Sequence, residues 1–559
     1  MHLTRRKFIR RVAVATSALA LVGCAPIGAP APTAAPPGPV QGKPVEAKPA
    51  ATQAVPIAAK PTEAAAAKAA SGQAPAAAAG PPVRGGRLIV GKTADITKFD
   101  PYALNPGSFP MFNAIWNVLA RYDQALKPQP ELAESWELAP DNLSLTLKLR
   151  KGVKFHSGRE LDAEDVAFSF DWARDEKRAA NIRPLAMEVK QVETPDPSTV
   201  VLRFDKPNPG VFDTLDLLYI LDRETAGKDE SKGIGTGPFI VDQWLPGNEL
   251  RLSRFPDYWR QDLPYLDGVV LRVIPDAASL SVSLESGGVH LAERVQVSEF
   301  KRLAANPALQ SGTAAVGASF FNVLLSVRQS PLDDARVRQA VALTINRQRF
   351  ATTVMEGIVE AACLPYPPSS FGYDREQAEH CKHDPEGARQ LLAEAGAGGG
   401  FDVALTTSTQ VAPELPKLAQ IVQADLGAVG IRVRIEDVEQ SIWTERSVKG
   451  DYQMMTHTYG RAHKDPTSLF GTAVVWRPTN NPTGYSSPEY ARLVAEAGTT
   501  LDPQRRKELY RQVNDLVLQD NWVVPVAPNP RPWVSRGEVQ GVDFNLDGML
   551  LLDKIWIKP

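Results

Sequence analysis

Past Gly85 the chain alternates β-rich runs with helical ones, and this alternation predicts an α/β protein. Two observations carry the prediction. Short runs such as Arg87 to Thr93 (RLIVGKT) and Ser144 to Arg150 (SLTLKLR) have the composition of strands, while Asp384-Pro385 and Asp502-Pro503 each set a capping carboxylate before an N1 proline, which opens a helix.

The elements follow in order. Asp162 is placed to cap a helix reaching Asp175; Asp165 completes a capping-box-like pair, and Val166, Phe168, Phe170 and Trp172 supply apolar surface. Thr199 to Phe204, Phe239 to Trp244, Glu249 to Phe255 and Val269 to Ile274 read as strands, so the middle of the chain is β-rich. From Arg336 to about Val354 the spacing of Val337, Ala340, Val341 and Leu343 predicts a helix. Strand-like Phe401 to Thr407, Ile431 to Ile435 and Tyr452 to Tyr459, with the helical Leu415 to Leu426 among them, suggest a βαβ-containing domain; no internal repeat at a fixed period is seen.

The first two dozen residues specify export. Thr4-Arg5-Arg6-Lys7-Phe8-Ile9-Arg10 fits the twin-arginine pattern, and the apolar run Val12 to Val22 is too short for a stable membrane span. It ends in Leu21-Val22-Gly23-Cys24, a lipobox-like sequence whose cysteine can take a diacylglyceryl group and become the mature N-terminus. The expectation is a twin-arginine lipoprotein signal peptide over 1–24 and a body held outside the cytoplasm, in the periplasm or at the cell surface, by lipid on Cys24. Residues 25–85 are dominated by Ala and Pro, with no Leu and no aromatic, and nothing there offsets the entropy of ordering. They are expected to form a disordered tether, with an r.m.s. span of roughly 40–45 Å for about 60 residues treated as a flexible coil.

At 559 residues the chain has room for two or three domains, and a formal net charge of −2 with dispersed Lys and Arg argues against nucleic acid as a partner. With Cys24 given to lipid, Cys363 and Cys381 remain as an even pair in an oxidising compartment, which favours a disulfide. It would close a loop of about 18 residues and contribute roughly 3 kcal/mol. His380 and His383 flank Cys381, so a zinc site built from Cys363, His380, Cys381 and His383 is the alternative.

No G-x-S-x-G, H-E-x-x-H or Walker A sequence is present, and no cofactor is expected. Gly233-Ile234-Gly235-Thr236-Gly237-Pro238 superficially resembles a phosphate loop, but it precedes a strand where a helix N-terminus is needed, and reads as a glycine-rich turn or crossover.

Several runs together resemble one family. The segment from Ser144 to Val166 (SLTLKLRKGVKFHSGRELDAEDV) is similar to the signature of the peptide/nickel/opine solute-binding proteins that serve ABC importers. It is followed in order by Gly235-Thr236-Gly237-Pro238-Phe239, by Pro331 to Ala340 (PLDDARVRQA) and by Gly484 to Tyr490 (GYSSPEY), and the resemblance runs from about Arg87 to Ile557. It implies a periplasmic-binding-protein type II-like fold of two lobes, the first split by an inserted subdomain. The implied boundaries are a lobe I core of 86–119, 233–317 and 525–559, an inserted subdomain of 120–232, and a lobe II of 318–524, with hinge crossings near Gly317 and Pro525.

The resemblance implies a monomeric, non-enzymatic receptor that captures a small-molecule or oligopeptide ligand and delivers it to ABC permease subunits. In peptide-binding members a lobe II loop carries an aspartate that pairs with the peptide α-ammonium. The corresponding loop here is Gly460-Arg461-Ala462-His463-Lys464-Asp465-Pro466, and Ala462 stands at the aspartate's place, which puts peptide specificity in question. The candidate ligand-facing set is Asn105, Gly107, Gln440, Tyr459, Gly460, Arg461, Ala462 and His463. Core packing is the alternative for Tyr459, and a solvated loop position for Arg461 and His463. Facing the cleft, Arg461 and His463 favour an anionic or hydroxyl-rich ligand. A non-peptide ligand is therefore the rival within the class: an oligosaccharide, an anionic or opine-like compound, or a metal chelate held through His457 or His463. An exported hydrolase is the rival outside it.

Overall fold

The computed structural model describes residues 80–559 apart from 103–108, 229–231, 315–316, 380 and 463. The expectations for Cys24, the signal sequence and most of the tether lie outside these residues.

Three main sheets organise the fold. The largest has seven strands in the order Leu309–Ala314, Arg531–Arg536, Leu291–Ala292, Arg87–Lys92, Gly268–Val273, Glu249–Arg254 and Phe239–Leu245. Arg87–Lys92 runs parallel to Gly268–Val273, with Val90 opposite Leu271, and parallel to Leu291–Ala292; the remaining pairs are antiparallel. A four-stranded antiparallel sheet of Ala133–Leu138, Ser144–Leu149, Thr199–Arg203 and Gln191–Asp196 lies within the sequence span 120–232. Its core is continuous with that of the seven-stranded sheet, through residues such as Leu147, Phe170 and Leu271.

The five-stranded sheet has its own core. Its order is Ile431–Asp437, Phe401–Thr407, Met454–Gly460, Ser319–Leu325 and Val523–Pro528. Phe401–Thr407 is parallel to both its neighbours, as the βαβ reading requires, and Ser319–Leu325 is antiparallel to both of its own. The helix Glu414–Gly427 buries Leu415, Leu418, Val422 and Leu426 in this core.

Local signals behave as their chemistry dictates. Asp162 caps the helix Ala163–Arg174, and its capping box closes through Asp165. Asp384 and Asp502 each accept a backbone N–H at the start of helices with proline at the N1 position. The helix expected from Arg336 to Val354 is broken: Ala335–Thr344 ends at Ile345, which is extended, and Asn346 caps a new start at Arg347. Asn346 competes with the helix by accepting from Arg349 N–H, while its own N–H donates to Asp425.

The glycine run 233–238 is a close backbone crossing. A Cβ on Gly235 would lie 2.1 Å from the Ile115 carbonyl oxygen, and one on Gly237 2.5 Å from that of Ala114. The loop packs on a helix C-terminus, where carbonyls rather than N–H groups face it, and it is no phosphate cradle.

The chain passes between the seven- and five-stranded sheets twice. It leaves Ala314 and enters Ser319, and it leaves Pro528 and enters Arg531, so Pro525 lies inside a strand and the return crossing comes after it. The two passages run side by side: Ala314 pairs with Arg531, and Asn529 N–H donates to Ser319 O at 2.8 Å. Gly317 sits in one passage at φ +91, where a Cβ would meet Pro367 at 2.5 Å. Cys363 and Cys381 form the disulfide, and the zinc alternative falls with it.

Candidate functional site

The loop that follows the strand Met454–Gly460 bridges the two sheet bodies. Strand pairing fixes its start, since Gly460 pairs with Ser319. Arg461 then turns through a left-handed conformation (φ +64), and Ala462 N–H donates to Ala318 O at 3.2 Å. Asp465 fixes its end by capping the helix Pro466–Thr472, accepting from Thr467 N–H at 2.9 Å, and Arg506 pairs with its carboxylate.

Held at both ends, this loop meets residues of the inserted segment and of the C-terminus. Arg461 donates from Nη2 to Asn181 Oδ1 at 2.9 Å and from Nη1 to Asn181 O at 3.3 Å. Lys464 Nζ lies 2.6 Å from Asp216 Oδ2 and 3.1 Å from Asp547 Oδ2, and its side chain is 0% exposed. Asp465 N–H donates to Asp213 Oδ2 at 3.1 Å, while Tyr122 Oη donates to Asp213 Oδ1 at 2.9 Å. Asp213 and Asp216 stand three residues apart on the helix Val211–Leu217 and so share a face.

Burial alone would lower the Lys464 pKa, yet the carboxylates of Asp216, Asp547 and Asp213 outweigh it and hold the ammonium above its ordinary value. Asp213 is different. Its hydrogen bonds come from a phenol and a backbone N–H, and burial, followed by the nearby Asp465 carboxylate, outweighs the attraction of Lys464 and pushes it up to about 7. The junction is a buried charge network that binds one sheet body to the other.

The remaining candidates are distributed unevenly. Gly460 is exposed, and Ala462 is buried beside the Arg461 and Lys464 contacts. Tyr459 is a core residue: its hydroxyl donates to Pro365 O at 3.0 Å, and its ring stacks on Phe320 and meets Trp476 edge-on. Gln440 opens the helix Gln440–Lys449 on the surface, its N–H donating to Gln410. Asn105, Gly107 and His463 lie outside the described residues. His457 stacks on Trp443 and bonds Ser447 Oγ at 3.1 Å, and burial pushes it down to about 4. Among the described residues no group of three His, Cys, Asp or Glu is arranged to hold a metal ion.

Two cavities lie in the first body, one of them lined also by residues of the C-terminal segment. One of about 280 Å³ is lined by Trp116, Trp172, Arg178 and Leu221 among others, and one of about 260 Å³ by Asn113, Arg121, Glu131, Arg260 and Asp553 among others. Neither is lined by residues of the 460–465 loop. Asn181, Asp213, Asp216, Lys464 and Asp547 were not legible as site residues. The one available signal was an i, i+3 aspartate pair, which also describes any solvated helix face.

Comparison with known proteins agrees with this geometry. The model of the bacterial extracellular solute-binding proteins, family 5, matches residues 127–510. The chain is 27% identical over 488 residues to the di/tripeptide-binding protein 1 of Pseudomonas aeruginosa, covering 80% of this chain and 90% of that one. Among solved structures, the periplasmic binding protein DppA of Helicobacter pylori in complex with the peptide STSA has a TM-score of 0.75 at 26% identity, over 85% of this chain and 99% of that one. AgaA of A. tumefaciens R10 in complex with agropinic acid matches with a TM-score of 0.75 at 25% identity, over 85% and 99%. The fold is that of type II-like periplasmic binding proteins.

Proposed function

The chain belongs to the bacterial extracellular solute-binding proteins of family 5, and from that premise we propose that it is the lipid-anchored receptor of an ABC importer. It captures an organic solute of oligopeptide size between two lobes and delivers it to the permease. It is a binding protein and not an enzyme. The observation that carries the reading is the pair of side-by-side passages between two separately cored sheets, with a polar loop that starts beside them and reaches from one body to the other. Such an arrangement suits hinge closure on a ligand.

In this reading 86–119, 233–317 and 529–559 form the lobe I core, 120–232 its inserted part and 318–528 lobe II, the strand Val523–Pro528 moving the second crossing from Pro525 to 529–530. Arg461, Ala462, His463, Asn105 and Gly107 form the ligand-facing rim, and Gln440 lies farther out. The twin-arginine signal and Cys24 place the protein outside the cytoplasm on a lipid anchor; no described helix is long and apolar enough to cross a membrane. Cys24→Ser is expected to release the protein from membranes, and retention after a high-salt wash would place the anchor elsewhere.

A second reading of the ligand has its own support. Ala462 supplies no carboxylate, while Arg461 brings a guanidinium to the same loop, which favours an anionic, opine-like solute over a free-amine peptide. Mass spectrometry of small molecules released from the purified protein tests both. An oligopeptide or an acidic amino-acid conjugate supports receptor function, and calorimetric titration with matched free-amine and N-acetylated peptides separates the two: a strong preference for the free amine sinks the anionic reading.

A further inference from the structure

Lys464 holds the most completely buried side-chain ammonium at the seam, and its partners come from the other side. Asp216 lies 248 residues away on the helix Val211–Leu217, and Asp547 lies near the C-terminus. The Tyr122 ring stands 6.0 Å from Nζ. Asp216 is 3% exposed, and its second oxygen, Oδ1, is buried with no hydrogen-bond partner among the described residues. Two carboxylates beside an aromatic face, one of them with acceptor capacity to spare, make a receptor for a primary ammonium.

This receptor is filled by the chain itself. An ammonium so deeply buried is tolerated only where carboxylates surround it, and here they do so only when the loop of one body reaches the helix of the other. We propose that Lys464 is a specificity-determining residue, an intramolecular occupant of an ammonium receptor formed by Asp216 and Asp547, which lets the protein close without a ligand ammonium and denies that position to ligands carrying one. The proposal rests on the solute-receptor reading for its bearing on ligands, while the self-filled site stands on the contacts alone. A ligand amine has to compete with a group whose effective concentration is set by its own tether, so free-amine solutes are at a disadvantage whatever else they contact.

Truncation of Lys464 to alanine removes three carbons and the nitrogen, which n-propylammonium restores in size and charge. The test is calorimetric and thermal-shift titration of the full-length Lys464→Ala protein with n-propylammonium chloride, with 1-propanol as the neutral control. Saturable millimolar binding that raises the melting temperature of Lys464→Ala, at least tenfold weaker in the wild type and in Lys464→Ala/Asp216→Asn, is expected. Equal response in all three proteins overturns the proposal. Should Lys464→Ala not fold, amine acylation followed by mass spectrometry replaces it. Lys464 of the wild type is expected to react at least tenfold more slowly than in Asp216→Asn, and equal rates overturn the proposal. A matched pair of free-amine and N-acetylated dipeptides, titrated into Lys464→Ala, then addresses ligand choice. A gain of about tenfold for the free amine alone is expected. Propylammonium binding without that gain leaves the self-filled site standing and overturns its role in specificity.

Discussion

Two of the contacts between the sheet bodies are built differently. At the hinge the contacts are backbone: Ala314 pairs with Arg531, and Asn529 N–H reaches Ser319 O. At the neighbouring seam they are side chains and charges, with Lys464 on Asp216 and Asp547 and Arg461 on Asn181. A backbone ribbon can swivel through a few dihedral angles and keep its hydrogen bonds, whereas a buried ion pair is whole or broken. On the proposed function, persistence belongs to the hinge and the choice between open and closed to the seam.

The largest separation of the two regions is expected in pH dependence, because the hinge contacts are between backbone groups while the seam holds Asp213. Its folded pKa is raised to about 7 from an ordinary value near 3.8. Between those values the unfolded chain has lost the proton that the folded chain keeps, so stability is fully present below about 4 and falls as pH rises to about 7. Asp213→Asn needs no proton. Its unfolding free energy relative to wild type is expected to rise by roughly 2–4 kcal/mol from pH 4 to 7 and then level off, measured by urea denaturation at each pH. A flat difference breaks the assignment.

Gly317→Ala comes next. At φ +91, with a Cβ 2.5 Å from that of Pro367, the substitution is expected to cost about 1–3 kcal/mol of stability at all pH values and to leave the pH profile unchanged. The same denaturation series reads it, and a pH-dependent cost would blur the distinction between hinge and seam.

The smallest effect belongs to a pair in neither region. Arg432 and Asp402 bridge neighbouring strands in solvent at 2.7 Å, with both side chains mostly exposed. Arg432→Ala is expected to change stability by less than about 1 kcal/mol, and less still in high salt. A larger loss would mean that charge at the surface of this protein behaves like charge in the seam.

How far the sequence could be read follows the same division between local and distant signals. The Asp162 capping box, the Asp-Pro helix starts and the strand Arg87–Lys92 were legible because each rests on spacing within a few residues. The strand Ser319–Leu325, central to the five-stranded sheet, was not picked out; SFFNVLL is largely buried along its length and shows none of the polar alternation that marks a half-exposed strand. The break at Ile345 was invisible for another reason, since Asn346 is held by Asp425, 79 residues away. At the site, the 460–465 loop was recognised and its lost aspartate at Ala462 noted. Lys464 was passed over because the carboxylates that give it meaning lie at positions 216 and 547, beyond the reach of any local pattern.

On this reading Lys464 holds the seam closed, and interlobe distance measures that directly. Spin labels at Val282 and Val448, exposed positions in the first and second bodies, can be placed in a Cys24→Ser chain whose other two cysteines are disulfide-bonded. Pulsed dipolar spectroscopy without added ligand is expected to show a short-distance population that shifts to longer distances in Lys464→Met. Identical distance distributions for the two proteins would contradict the account.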